Sequence, residues 1–256
     1  MNEYKRVRYQ KSPLVEVIFQ LRFPTILSIN ANQPFDFQDK IREKYPFYQE
    51  GNEQQNEMII GPDGKPVQIK TSNSKNYAFV SANEQYKINL TASFISISTV
   101  NYTQWEDFKK HIDFVVPYFE EVYKPAFYTR IGLRYIDAIT REDLGLKDVK
   151  WNDLIEPHIL GVMTPDIEEG VKSFRAEAEY KNPENEALTK AHFELVHINN
   201  RKETSLLIDC DYFTNSVTSK EAMCSVADML HQNSSSFISK AITKRLSDAM
   251  DPVEIS

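Results

Sequence analysis

In the stretch SLLIDCDYF, Asp209 and Asp211 stand two positions apart. On a strand that spacing puts both carboxylates on one face, where they would bind a divalent cation if further carboxylates converged on them. The solvent-facing side of an alternating strand explains the pair more simply. Glu177 and Glu179 in FRAEAEY share a strand face in the same way. Paired carboxylates can exchange protons with a substrate, although charged strand surface explains these two at least as well. The five histidines, His111, His158, His192, His197 and His231, form no HxH or HExxH. His192 and His197 are five apart and fall on opposite faces of a strand, so no metal site is expected. An enzyme of unrecognised type would use Glu177, Asp209 or Asp211 with His197.

The arginines offer a different chemistry. Arg22 ends the alternating run of FQLRF, and Arg134 stands in the same place in IGLRY. Arg130 shares that face, two positions from Gly132, whose missing side chain leaves room beside it. Such a face is either a groove for a small anionic ligand, with arginine as bidentate partner, or a set of arginine–glutamate ladders across neighbouring strands. The ladder is the simpler arrangement. The recurrence of the arginine keeps the groove open as an alternative.

Other chemistries find little support. There is no GxSxG, and Cys224 reads as a core thiol on a helix. With Cys210 it forms no CxxC, which suits reduced thiols in a cytoplasmic protein. Only seven glycines occur, none in GxGxxG or GxxxxGK[ST]. A loop that cradles phosphate needs glycines for close backbone approach, so no nucleotide or other cofactor is expected. The net charge of −7 argues against a surface built for nucleic acid. No window reads as a signal peptide or a membrane span, and a soluble chain of 256 residues with 41% hydrophobic residues can bury a sizeable core.

The elements that carry these residues follow from periodicity. Val15, Val17, Phe19, Leu21 and Phe23 alternate as in a strand with one buried face, between Pro13 and Pro24. Phe37, Ile41 and Tyr45 have helical spacing, with Asp36 as cap. MIIGPDGKPVQIK reads as a hairpin turning at PDG, YAFVSANEQYKINL as a second turning at Ala82–Glu84, and ASFISISTV as a strand. Thr103 and Glu106 predict a capping box opening a long helix with Trp105, Phe108, Ile112, Val115, Phe119 and Val122 on one stripe. Pro117 predicts a kink or break.

The pattern then recurs. YTRIGLRYIDAI alternates as a strand, WNDLIEPHI reads as a short helix, and FRAEAEY and AHFELVHIN as strands. SLLIDCDYF follows across the turn NNRKE. Thr218 and Glu221 predict a second capping box before a helix with Val226, Met229, Leu230, Phe237, Ala241 and Ile242 on its apolar side. In its middle the polar run HQNSSS either breaks the helix or faces a cavity or partner, and DAMDPVEIS reads as a frayed tail. Leu21 and Leu133 are 112 apart, Ile97 and Ile208 are 111 apart, and Thr103 and Thr218 are 115 apart. These offsets predict an internal duplication, with repeats at about 12–124 and 125–250 in one pseudo-symmetric body spanning 1–256. The expected class is α+β: two strand–helix–meander–long-helix units with antiparallel sheets and helices on one face.

Three segments also carry a resemblance. SPLVEVIFQLRFP, RIGLRYIDAI and LHQNSSSFISKAITKRLSDAMDP resemble, in order and spacing, a sporadically distributed family of uncharacterised bacterial proteins of about this length. The matching positions are Pro13, Leu14 and Glu16 at the start, and Leu230, His231, Phe237, Ile242 and Thr243 in the C-terminal helix. The resemblance implies a bacterial cytoplasmic protein and brings no activity, cofactor or catalytic residue. The expected function is therefore that of a non-catalytic binding or interaction protein. It would use Arg22, Arg130, Arg134, Glu177, His197, Asp209 and Asp211 on an open sheet face, or self-association into a homo-oligomer. Its partner would be another protein or a small anionic ligand. The alternatives are the enzyme described above and an accessory component of a mobile or phage-defence system.

Overall fold

The computed structural model describes residues 7–60, 66–198 and 203–255, with side chains described outside 53–73. In chain order the elements are β1 (Val7–Tyr9), β2 (Leu14–Arg22), α1 (Leu27–Ala31), α2 (Phe35–Ile41), β3 (Phe47–Ile60), β4 (Pro66–Val80), β5 (Tyr86–Leu90) and β6 (Phe94–Thr99). Then follow α3 (Trp105–Tyr123), β7 (Arg130–Ile139), α4 (Pro157–Leu160), β8 (Arg175–Lys181), β9 (Leu188–Val196), β10 (Ser205–Thr214), α5 (Met223–Ala241), α6 (Lys244–Ala249) and β11 (Pro252–Glu254).

Nine strands form one open antiparallel sheet in the order β3-β4-β5-β6-β2-β7-β10-β9-β8. The class is α+β, as the sequence predicts. β2 and β7 meet at its centre with Phe19 opposite Leu133 and Gln20 opposite Gly132. Because successive side chains leave a strand on opposite faces, one register decides two surfaces. Val17, Phe19, Leu21, Ile131, Leu133 and Tyr135 go to the core, as do Ile95, Ile97, Ile208 and Cys210. The other face receives Gln20, Arg22, Arg134, Asp209 and Asp211. No described helix is long and apolar enough to cross a membrane.

α3 buries the predicted stripe from Trp105 to Phe119. It runs unbroken through Pro117, which sits on the exposed side, where water can satisfy the carbonyl that the ring leaves unpaired. Neither predicted capping box forms. Gln104 is the N-cap of α3, and the Thr103 hydroxyl donates to Asp107 Oδ2 at 3.1 Å. Thr218 forms a two-way backbone bridge with Tyr128, so its chain is committed to a β contact and α5 starts only at Met223. Asp36 likewise lies in the first turn of α2, whose N-cap is Pro34. The sequence WNDLIEPHI makes a single 3₁₀ turn at Trp151–Asp153 and then the one-turn α4, as expected where Pro157 can start a helix but not continue one. The turn at PDG and all of NNRKE except Glu203 lie outside the described residues.

The C-terminal part departs further from expectation. α5 is continuous through HQNSSS. The tail is not frayed: β11 pairs with β1, placing Val7 opposite Glu254 and Tyr9 opposite Pro252. Backbone bonds from Gln10 and Lys11 to Asp251 and Met250, both 3.0 Å, extend this ribbon. The Tyr9 hydroxyl and Ser247 Oγ lie 3.1 Å apart. Pairing with a distant strand is invisible to a local reading of the tail. Cys224, expected in the core, is exposed because the buried side of α5 falls on Met223, Ala227, Leu230 and Ser234.

Candidate functional site

α5 lies across β7 and β10, and small side chains on its inner side leave the interface unfilled. Leu230 and Ser234 are one turn apart and both buried. A serine there removes the bulk that a leucine would place against the sheet. The result is a cavity of about 670 Å3 bounded by α5, by the core faces of β7 and β10, by the start of α3 and by the ribbon of β1 with the C-terminal segment. This is within the range of small-molecule sites. Of the two arrangements open for HQNSSS, the structure has the continuous helix whose polar middle faces a cavity.

Its walls are mainly apolar and aromatic, with a few polar groups. Tyr135 is deeply buried, and its hydroxyl lies 2.9 Å from His231 Nδ1. Burial keeps that phenol protonated far above its usual range. The His231 ring stacks on Trp105, with centroids 4.8 Å apart and planes 9° from parallel. Trp105 Nε1 donates to Asp228 Oδ1 at 2.7 Å. Thus α5 and α3 are tied together at the cavity wall through one stacked pair and one charge-assisted bond. A similar device recurs on α3, where His111 Nδ1 lies 2.7 Å from the Tyr45 hydroxyl and the ring stacks on Tyr86.

Asp137 is the group that stands apart. It follows Tyr135 by two positions on β7 and so shares its core face. It is only 8% exposed and lines the cavity. Among the described residues no side chain or backbone group hydrogen-bonds its carboxyl. Burial alone pushes its pKa up to about 7, because a charged carboxylate is disfavoured away from water. Its neighbour across the register, Ile208, and the adjacent Cys210 add no donor that would hold the charged form. The Cys210 thiol is itself pushed up to about 12 by burial, so it stays protonated and is no nucleophile at neutral pH. The cavity therefore offers an apolar volume, aromatic faces and one carboxyl able to accept or release a proton near neutrality.

The predicted site residues other than His197 lie on the opposite face of the sheet. Arg134 meets Asp209 with Nε 2.6 Å from Oδ1, and Arg130 Nη2 meets Asp211 Oδ2 at 2.6 Å. Both pairs run from β7 to the neighbouring β10, in the registers Arg134–Asp211 and Ile136–Asp209. Arg130 extends over Gly132, where any Cβ would collide with its guanidinium. It stacks on Phe213 at 4.4 Å and donates to Gln20 Oε1 at 3.2 Å. The room beside Gly132 is filled by Arg130 itself. Arg22 donates to the same Gln20 oxygen at 3.1 Å.

Glu177 accepts from Arg175 at 2.7 Å, which holds its carboxyl below the usual range, and it faces His192 at 3.3 Å. His192 also lies 3.0 Å from Glu194. His197 is beyond the end of β9 and exposed, so Glu177 sits beside His192 rather than His197. Among the described residues no cluster of three or more histidine, cysteine, aspartate or glutamate side chains is arranged to hold a metal.

The sequence reading missed Asp137, although a signal was present. Ile131, Leu133, Tyr135 and Ile139 define the buried phase of the strand, and Asp137 is the charged residue that falls in it. A charge in the apolar phase marks either a paired core ion or a functional group. No protein-family model matches this chain, and no curated protein matches it.

Proposed function

We propose that this chain is a binding protein for a small organic molecule, held in the cavity between α5 and the sheet. The observation that carries the proposal is the Asp137 carboxyl, buried without a hydrogen-bond partner among the described residues in the wall of a cavity of about 670 Å3. An unsatisfied buried polar group weakens the fold, and a ligand donor would satisfy it. The binding class expected from the sequence is retained, and the site moves from the open sheet face to the covered one. The ladder pattern of Arg130–Asp211 and Arg134–Asp209 supports a mainly structural role for that open face.

The test is native mass spectrometry of the purified chain, compared with the same sample denatured, and a thermal-shift screen with small aromatic compounds. A mass lost on denaturation, or stabilisation by a compound, is expected for the native chain and weakened in Ser234→Leu, which narrows the cavity. A bare mass with no stabilising compound would overturn the proposal.

An internal duplication is proposed alongside it. Adding 112 to Gln20 gives Gly132, and these residues face one another where β2 meets β7, as a twofold axis between equivalent strands requires. Each half then runs outward through the strand that precedes its long helix, β6 or β10. Membership of the resembling bacterial family, a cytoplasmic location and a part in a mobile or phage-defence system are proposals that rest on sequence; gene neighbourhood tests the last. Self-association is tested by the mass of the native species.

A further inference from the structure

We infer that the molecule bound beside Asp137 carries a protonated amine on an aromatic or branched apolar body. This rests on the cavity being a binding site and adds the chemical class of its occupant.

Three features converge on a cation. The first is Asp137, whose carboxyl is nine-tenths buried, unpartnered among the described residues and in the cavity wall. An ionised carboxylate in such a setting is stable only when paired. A ligand ammonium supplies both the opposite charge and N–H donors. A ligand carboxylate or phosphate would set two acids against each other.

The second feature is the charge of the lining. Asp137, Asp228 and Glu106 bring three carboxylates, and among the described lining residues the only arginine or lysine is Arg8 on the exposed ribbon; Lys109, 3.9 Å from Asp228, offsets part of that charge from outside the lining. An anionic guest would enter against that field, and a cationic one along it. The third is aromatic surface. Tyr102, Trp105, Tyr135 and Tyr212 border the same space, and such rings attract an organic cation through their faces while packing its apolar body. Carboxylate and aromatic walls together favour amines over alcohols of the same shape.

The experiment uses three probes that share an indole ring and two-carbon arm: tryptamine, tryptophol and indole-3-acetate. Each is titrated into the full chain by calorimetry at about pH 8, where the amine is charged and Asp137 can ionise to meet it. Tryptamine is expected to bind at least about tenfold more tightly than tryptophol, a step of about 1.4 kcal/mol, with indole-3-acetate weakest. In Asp137→Asn, tryptamine should fall to the level of tryptophol, whose own affinity changes by no more than about twofold.

If tryptophol or indole-3-acetate equals tryptamine, or if Asp137→Asn keeps the preference, the amine assignment is overturned while the cavity stands as a site. If none of the three binds, the binding-site reading fails and the assignment with it. The order of the three probes on the unmodified chain decides the question even if the variant does not fold.

Discussion

Arg134 and Asp137 are three residues apart on β7 and face opposite sides of the sheet, one paired and one alone. Arg134 closes on Asp209 with Nε 2.6 Å from Oδ1 on the open face, while Asp137 is buried on the covered face with no described partner. An odd separation on a strand guarantees the split. It pairs Arg134 on the open face and leaves an unpartnered carboxyl inside.

Asp137 should make stability depend on pH. Its folded pKa is raised by burial to about 7 from the ordinary value of 3.8, so between these values the folded chain holds a proton that the unfolded chain has released. The contribution is fully present below about pH 4 and is lost as pH rises toward 7, on the order of 1.4 kcal/mol for each unit. Asp137→Asn, which cannot ionise, should therefore melt several degrees higher than the native chain at pH 8 and show little difference near pH 4. Equal melting shifts at both pH values would show that the carboxyl is already satisfied.

Gly132 should tolerate no side chain while Arg130 lies over it. The obstruction is the end of a flexible side chain, so Gly132→Ala should displace the guanidinium rather than the backbone. That breaks its bonds to Gln20 and Asp211, a loss of roughly 1–2 kcal/mol. In an Arg130→Ala background the same change should be nearly neutral, and chemical denaturation of the four proteins gives the coupling directly.

The cavity can be narrowed from α5. Ser234→Leu places an apolar side chain into it and replaces a poor helix former with a good one. The expected result is stabilisation of about 1 kcal/mol together with weaker ligand binding. A destabilised variant would mean that the space at Ser234 is already occupied by neighbouring side chains.

The arginines of the open face should separate by partner. Arg134→Ala strands Asp209, whose side chain is 15% exposed, and should cost about 1 kcal/mol or less because Arg134 itself is substantially exposed. Arg22→Ala removes only a bond to Gln20 and should change stability by less than about 0.5 kcal/mol. Loss of a small anionic ligand in the double variant would restore the groove on this face.

Much of the fold was legible because its signals are local. The period of Val17, Phe19 and Leu21 and the stripe of α3 are properties of short windows, and β2 and α3 follow from them. The second capping box failed for a nonlocal reason: the Thr218 backbone is bonded to Tyr128, far away in the chain. The tail failed likewise, since β11 exists only by pairing with β1 at the other end of the chain.

The sequence by itself determined the α+β class, the two faces of the central strands and the position of the acids and bases along them, since strand and helix periods depend only on neighbouring residues. Tertiary structure alone decided that Asp209 and Asp211 neutralise Arg134 and Arg130, and that Ser234 leaves a cavity opposite Asp137. Both depend on which strand lies beside which, and on how closely a helix approaches a sheet. Those are set by the packing of the whole chain, and no short stretch contains them.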